Sequence, residues 1–385
     1  MSEPSTTRRI GSSLAAILIG LVILVAIWLL PDLTPADVVP VVGQRTDHAR
    51  VVEALGTDPT GLPLFAVELV GSGERVEAVV QDGSTAIPGS GARAPYEVGD
   101  EVVVTRFSGA AAEATFAVIS EPWRLPALGM VAAAFAAAVL VVGGLRGARS
   151  LVALALTLAV VVKLVVPLLL RGVDPILLAV GGGAVVTVAT LLLTEGANRI
   201  TLAAVLGTLA ALGLTAVLAA VFTALAEFTA LQGSEEIAFL IPLVGERIDL
   251  QGILLAATVF GALGVLDDVT VTQAATVEQL HRTRPDAPRG GVIGRAMTVG
   301  RSHIAATVNT LMLAYLGAGL PLLLLFALSG QEPMLVLNGE IVAVEVIRAL
   351  VGSIGIVAAV PLTTFVAAFL IVPARPAEPV ADTAR

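Results

Sequence analysis

Hydrophobic residues run through this chain in long unbroken stretches that are separated by short polar segments. A helix needs about 20 mostly apolar residues to cross a hydrocarbon core roughly 30 Å thick. Stretches of that length occur at residues 10–30, 125–144, 151–170, 175–194, 200–226, 250–268, 304–328 and 349–372. The pattern therefore predicts an α-helical polytopic membrane protein with about eight transmembrane helices.

The interval between the first two apolar stretches has a different pattern. Within residues 33–122, short runs such as 64–69, 75–80 and 101–107 alternate apolar and polar positions. Alternation with a period of two is typical of half-buried strands, and glycine-rich turns separate the runs. We expect five or six short strands in a small all-β domain similar to an OB-fold barrel, because barrel closure removes exposed strand edges.

The amino-acid composition supports a membrane protein and excludes several other kinds of protein and site. Hydrophobic residues make up 56% of the 385 positions and charged residues 14%, a balance that would leave large apolar patches on a soluble protein. The chain has no cysteine, which excludes disulfides and thiolate metal sites. The predicted β domain lacks a groove that combines aromatic and basic residues, so we expect no nucleic-acid partner. We also expect no cofactor.

The placement of arginine predicts the orientation, since cytoplasmic ends of spans carry an excess of positive charge. Arg8 and Arg9 precede the first stretch, and alternation puts the arginine-rich segment 279–302 on the same side. We expect a multi-pass membrane protein with both termini cytoplasmic. Its domains would be an N-terminal anchor helix at 1–32, an extracytoplasmic β-rich domain at 33–122, a seven-helix transmembrane domain at 123–373 with a cytoplasmic loop at about 279–302, and a disordered cytoplasmic tail at 374–385.

The first apolar stretch has an alternative interpretation as a cleaved signal peptide. Its apolar part is about 20 residues long, whereas signal cores usually have 7–15. No clean small-x-small cleavage site follows, because Leu29, Leu30 and Pro31 close the run. An uncleaved anchor is therefore the favoured interpretation.

Two adjacent carboxylates, Asp267 and Asp268, close the sixth apolar stretch. Acidic groups at a helix C-terminus are disfavoured by its negative dipole, and ionisable groups in spans are candidates for function. We treat both as candidates for a cation or proton pathway and as weak candidates for a hard metal ion such as Mg²⁺. In the alternative interpretation they only mark the membrane–water boundary.

Further polar residues lie inside the third and seventh apolar stretches. Asn309 and Thr310 fall one to two turns into the seventh, at a depth that matches Asp267 and Asp268, so they are pathway candidates; hydrogen bonding between helices is the alternative. Lys163 lies in the third stretch, nearer its outer end, and is a further candidate. Its side chain is long enough to snorkel outward or to pair with an outer carboxylate.

Three segments carry a resemblance to the YibE/F-like family of bacterial membrane proteins: Gly264–Leu280, Ile293–Gly300 and Thr307–Gly317, the last with Asn-Thr-Leu and Ala-Tyr-Leu-Gly motifs. The Gly99–Val104 turn and strand and the stretch from Arg199 to Gly207 also resemble the family's pattern. Asp268, Thr270 and the stretch 299–302 depart from it. The resemblance implies a multi-pass protein of the bacterial plasma membrane and names no substrate.

The leading functional hypothesis is a permease or channel-like transporter of a small ion or solute. The second is a non-transporting envelope scaffold whose external domain binds a partner. Partners expected are the lipid bilayer, a small cation or solute, and either further copies of this chain or an envelope protein. We do not expect an enzyme, because an aspartyl protease needs carboxylates from different helices, whereas Asp267 and Asp268 are adjacent and diverge by about 100° on a helix.

Overall fold

A computed structural model describes residues 6–31, 33–34, 44–80, 96–108, 115–229 and 248–373. The chain divides into two compact units, one formed by Val39–Ala138 and the other by Met1–Val38 with Val139–Arg385. The fold is mostly helical with a small five-stranded barrel, as the sequence predicts. The expected tail at 374–385 lies outside the described residues.

The barrel occupies the unit formed by Val39–Ala138 and is closed. Its strands follow the order β1-β2-β3-β5-β4 around the barrel, and every pairing is antiparallel except that of β3 with β5. The prediction of a small all-β barrel is confirmed. The strands are β1 (Gln44–Thr57), β2 (Pro63–Leu69), β3 (Arg75–Val80), β4 (Glu101–Ser108) and β5 (Thr115–Pro122).

Alternate positions of the strands fill the barrel interior. Val67, Val80, Val102 and Val104 are completely buried there, and Phe65 packs beside them. Register shifts within β1, between Val51 and Glu53 and again between Ala54 and Gly56, fit a long strand that must bend to pair on both sides. The barrel therefore has a hydrophobic core of its own.

The helices of the chain account for most of the remaining described residues. They are α1 (Thr6–Trp28), α2 (Leu125–Val160), a π-helical turn (Val161–Val165), α3 (Val166–Leu170), α4 (Pro175–Glu195), α5 (Arg199–Leu225), α6 (Leu250–Thr283), α7 (Arg289–Ala318), α8 (Leu320–Ser329), α9 (Pro333–Asn338) and α10 (Glu340–Ile371).

Among the described residues, five helical runs are long and apolar enough to cross a membrane, or six if the bent pair α7 and α8 counts as one span. The apolar helix Ser13–Trp28, within the first predicted stretch, is shorter than such a run. The second and third predicted stretches merge into one helical run, Leu125–Leu170. Eight spans therefore remain a sequence-based expectation.

Gly144 interrupts that merged run at the place where the second predicted stretch ends. Its backbone angles, φ 54° and ψ −134°, are not helical and suit only glycine without strain. Beyond it the chain bends so far that Gly147 packs directly against the main-chain carbonyl of Val139. In a straight helix these two residues would be roughly 12 Å apart, so the 46-residue run is sharply bent.

Residues 279–302, expected to form a cytoplasmic loop between two spans, are mostly helical. Helix α6 continues to Thr283 and α7 begins at Arg289, so only residues 284–288 connect them. Charge density suggested a loop, but Val277, Val292 and Ala296 are buried at helical spacing along these segments. Arg282, Arg295 and Arg301 occupy the exposed faces of these two long helices.

The core of the helical unit is built by α4, α5, α6 and α10. Two small residues let α5 and α10 approach closely: Gly207 packs against Thr363, and Gly355 packs against Thr215. These contacts run in opposite directions along the two helices, so α5 and α10 are antiparallel. Such glycine–threonine contacts are typical of helix pairs that associate in lipid.

Candidate functional site

Asp267 is the centre of a cluster of threonine hydroxyls in the helical unit. The Thr187 hydroxyl on α4 donates to Asp267 Oδ1 over 2.9 Å, and the Thr190 hydroxyl lies 3.5 Å from Oδ2. Thr208 on α5 lies beside this carboxylate, and its hydroxyl hydrogen-bonds that of Thr270 on α6. Three helices therefore converge on one half-buried carboxylate.

The spacing of threonines along α4 explains how that helix reaches Asp267. Thr187 and Thr190 are three residues apart and share one helix face. Thr187 is completely buried and its hydroxyl makes no other hydrogen bond with the described residues, whereas Thr190 also donates to the Val186 carbonyl at 2.8 Å. Thr187 is therefore the stronger partner of Asp267.

The Thr208 hydroxyl also belongs to a pair of buried hydroxyls next to Asp267. Thr208 on α5 and Thr270 on α6 are completely buried, and their hydroxyl oxygens lie 2.7 Å apart. The Thr270 hydroxyl also lies 3.1 Å from the Asp267 main-chain carbonyl. Each hydroxyl has one proton, so if Thr208 donates to Asp267, Thr270 must donate to Thr208. The cluster can thus change its donor pattern without moving a heavy atom.

Asp268 points away from this cluster. It is exposed and makes no hydrogen bond or ion pair with the described residues, while Asp267 next to it is half-buried. Successive side chains on a helix diverge by about 100°, which accounts for the difference. Among the described residues, no group of three carboxylates or histidines is close enough together to hold a metal ion.

Asn309 and Thr310 lie at the level of Asp267 without touching it. Tyr315 on α7 packs against Gly261 on α6, and the Gln273 amide donates to the Ala296 carbonyl at 3.0 Å. The two helices are therefore antiparallel. Asp267 and Asn309 are each six residues, roughly 9 Å, from the contact between Gly261 and Tyr315, which puts them at one level.

The side chains of Asn309 and Thr310 nonetheless face outward. Both residues are exposed, and the Thr310 hydroxyl donates to the Ala306 carbonyl of its own helix at 3.0 Å. Neither residue hydrogen-bonds Asp267 or Asp268 in the part of the chain that the structure describes. The shared depth agrees with the sequence-based expectation, and a direct contact between the two groups is not present.

Lys163 lies apart from the Asp267 cluster, in the π-helical turn Val161–Val165. Its Nζ lies over the ring of Trp28, 5.1 Å from the centroid, which is a cation–π contact. Lys163 makes no ion pair with a described carboxylate. A tryptophan of α1, rather than an outer acidic residue, is its neighbour.

A further polar group was not a candidate from the sequence. Arg348 on α10 forms an ion pair of 2.5 Å with Glu345, as their spacing on a helix predicts, and Tyr315 of α7 lies within electrostatic range of both. Helices α6 and α10 run parallel, since Gly352 lies against Ala262 and Thr364 bonds Gln273 at 2.6 Å. Arg348 is therefore roughly 13 Å along α6 from the level of Asp267.

The residues that complete the site around Asp267 are also absent from the sequence-based candidates. Thr187, Thr190 and Thr208 are single threonines in apolar stretches, and a single chain does not show which of them meet. A signal does exist: Thr187, Thr190 and Thr194 follow one another at helical spacing, which marks a polar stripe in an otherwise apolar helix.

Comparison with known proteins assigns this chain to a family. Residues 131–373, more than half of the 385, match the family model described as YibE/F-like protein. The match contains the Asp267 cluster and the Asn309 segment, and it leaves out Gly99–Val104 of the barrel. No curated protein and no solved structure gives a significant match. The chain belongs to the YibE/F-like family.

Proposed function

We propose that this protein is a transporter of a small hard cation or of protons, with Asp267 as the group that binds the moving ion. The observation that carries the proposal is the hydrogen-bonded carboxylate of Asp267 inside the core of the apolar helices α4, α5 and α6. Ionisable groups in such positions are costly, and they recur in ion and proton pathways.

The chemistry of the cluster suits this role. A carboxylate and three hydroxyls supply only oxygen atoms, which are the donors that hard cations prefer. Hydroxyls both donate and accept, so they stabilise an ionised carboxylate and can turn their lone pairs toward a cation that replaces a proton. The alternative donor patterns of Thr208 and Thr270 allow that change without a movement of the helices.

In this proposal, polar residues on α6, α7 and α10 continue the ion pathway beyond the Asp267 cluster. Asp268 and Asn309 are exposed at the level of Asp267, and the group of Glu345, Arg348 and Tyr315 lies roughly 13 Å further along the helices. Polar groups at two levels of an apolar bundle are what a stepwise pathway needs, since each step must cover only part of the membrane.

The proposed setting is a bacterial plasma membrane that the chain crosses eight times. The arginine pattern favours an orientation with both termini in the cytoplasm and the barrel outside it. In this arrangement Gly144 would separate two spans within the run Leu125–Leu170. The helix α1 would be an uncleaved anchor, and the bent pair α7 and α8 would be one broken span of the kind found in transporters.

The second candidate function is a scaffold that binds an envelope partner through the barrel. The barrel has its own core, and Phe116 on its surface is 59% exposed while it stacks on Phe107 at 4.7 Å. Exposed aromatic pairs of this kind are frequent in protein interfaces. This candidate does not need the Asp267 cluster.

The proposal is tested by measuring the total cellular content of metal and alkali ions in a deletion strain. The strain is complemented with the wild type, with Asp267→Asn or with Asp268→Asn, and expression of each is matched by immunoblot. We expect deletion to shift one ion, and we expect wild type and Asp268→Asn, but not Asp267→Asn, to restore it. Ion content that stays unchanged on deletion, together with an envelope phenotype that Asp267→Asn rescues, would support the scaffold instead.

A further inference from the structure

A cavity of about 190 Å³ lies where α6 ends, α7 begins and α10 ends. His281, Arg289 and Val372 line it, together with Pro285 and Pro288 of the short connection between α6 and α7. Pockets for drug-sized ligands have roughly 300–1,000 Å³. This cavity is smaller, so it suits one compact group rather than an extended molecule.

Arg289 is held in place at this cavity by its own chain. Its Nη2 and Nε donate to the Val372 carbonyl at 2.6 and 3.2 Å, and its guanidinium lies 4.6 Å from the centroid of the Phe369 ring. Its Nη1 donates to none of the residues that the structure describes. A guanidinium fixed along one edge and open at the other is prepared for an oxyanion, because its planar fork matches phosphate geometry.

His281 adds a second polar group that lacks a partner. Its Nδ1 is buried and has no hydrogen-bond partner among the described residues. A buried polar atom without a partner costs free energy, and such atoms in native proteins call for an explanation such as a bound ion. The imidazole of His281 also lines the cavity, so it lies beside a phosphate group seated there.

The charge around the cavity also favours an anion. Arg289 opens the 30-residue helix α7, and the free amides of a helix N-terminus attract negative charge. Asp286 is the acidic residue of the connection 284–288 and is not among the residues that line the cavity. Arg282 lies nearby but is exposed and paired with Glu278 at 2.7 Å.

We propose that this cavity binds a phosphate group, carried either by an acidic phospholipid or by free phosphate. The cavity lies at the ends of apolar helices, which in the proposed arrangement is the cytoplasmic membrane surface, where acidic phospholipids present their phosphates. His281 is 14 residues, roughly 21 Å along α6, beyond Asp267. The site is therefore separate from the proposed ion pathway, and either proposal can fail without the other.

The test is calorimetric titration of the purified full-length protein in a non-ionic detergent, at constant ionic strength. One probe is dihexanoyl phosphatidic acid and the other is sodium phosphate. We expect one saturable site in the wild type. Arg289→Gln and His281→Gln are expected to weaken binding by about tenfold to a hundredfold, since each removes a hydrogen bond to a charged group. Arg282→Gln makes the same charge change outside the cavity and should bind like the wild type.

The two probes distinguish the source of the phosphate. Tighter binding of phosphatidic acid indicates a lipid headgroup, and equal binding indicates free phosphate; both support the site. The proposal is overturned if neither probe binds saturably, or if Arg282→Gln weakens binding as much as Arg289→Gln does. Because Arg289 also holds Val372, loss of folding in Arg289→Gln would leave His281→Gln to decide, since His281 bonds none of the described residues.

Discussion

The Thr187 hydroxyl of α4 donates a 2.9 Å hydrogen bond to Oδ1 of Asp267 on α6, and Thr187 is completely buried. This bond ties a carboxylate to the neighbouring helix in the middle of an apolar core. Val186 and Leu266, the sequence neighbours of Thr187 and Asp267, are buried hydrophobics of one cluster. The Thr187 hydroxyl is the nearest hydrogen-bond donor to Asp267 among the described side chains.

Replacing Thr187 by valine keeps the shape of the side chain and removes this donor. We expect Thr187→Val to destabilise the protein by about 1–3 kcal/mol, the usual cost of leaving a buried polar group without its partner. The measurement is thermal unfolding of the purified protein in detergent. Thr194→Val is the matched control, because the Thr194 hydroxyl bonds only the Thr190 carbonyl of its own helix. Equal effects of both substitutions would contradict this account of the cluster.

Close packing of α5 on α10 gives a second prediction. A methyl group at Gly207 would collide with Thr363, including its backbone, so Gly207→Ala should destabilise by about 1–3 kcal/mol. Gly213 lies on the same helix and a methyl group there meets nothing within 4 Å. Gly213→Ala should therefore be neutral or stabilise by about 0.5–1 kcal/mol, since alanine favours the helix. Unfolding of both variants by a graded denaturant checks the difference in sign.

The pair of Glu345 and Arg348 gives a prediction about charge in the helical unit. Arg348 is mostly buried and its Nε has no hydrogen-bond partner among the described residues, so Glu345 is its main compensation. The Glu345 side chain is 45% exposed, so Glu345→Gln should cost about 1–3 kcal/mol, the usual cost of removing a hydrogen bond to a charged group. The double variant Glu345→Gln with Arg348→Gln should recover part of that loss, because no charge is then left alone. A double-mutant cycle with additive losses would show that the pair does not interact.

The barrel should lose stability in acid through Glu101. The Arg50 guanidinium bonds this carboxylate at 3.0 Å and lowers its pKa below the ordinary 4.5, with a smaller contribution from the charge of His48. A carboxyl group whose pKa is depressed by folding stabilises the fold above its unfolded pKa. That contribution is lost as pH falls through the folded value, so the loss begins below about pH 4.5.

Trp123 offers the measurement, since it stacks on His48 at 3.8 Å beside Glu101. In a Trp28→Phe background, its fluorescence follows denaturant unfolding of the barrel between pH 6 and pH 3. Arg50→Gln should flatten the pH dependence of the midpoint, because the pKa of Glu101 then returns toward its ordinary value. Arg75 is exposed and makes no ion pair with the described residues, so Arg75→Gln should leave the slope unchanged. The same slope in both variants would rule out Glu101 as the source.

Patterns of hydrophobicity were sufficient to predict the elements but not the contacts between them. The barrel was predictable because alternation directly reports which strand faces are buried, as at Val102 and Val104. The length of α6 and α7 was not, because the arginines of 279–302 suggested a loop although most of them occupy the exposed side of helices. Charged residues indicate that a segment is exposed, but they do not distinguish an exposed helix face from a loop, because both are in contact with water.

In the candidate site, too, single residues were predictable from the sequence but the contacts between helices were not. Asp267 was identifiable because a carboxylate in an apolar stretch is costly wherever it packs. Thr187 and Thr208 were not, because threonines are common in membrane helices and only the packing of α4 and α5 brings these two to the carboxylate. Asn309 was placed at the right level, yet its rotation about the helix axis turned it outward.

The most direct test of the central claim is ion flux through the purified protein in liposomes. Vesicles are loaded with a fluorescent dye that responds to the ion under test and are given, in turn, gradients of protons, sodium, potassium and magnesium. The wild type and Asp268→Asn should carry at least one of these ions, and Asp267→Asn should reduce that flux at least tenfold while Asp267→Glu retains part of it. If no gradient drives flux in the wild type, or if Asp267→Asn carries the same ion at the wild-type rate, Asp267 does not bind a transported ion.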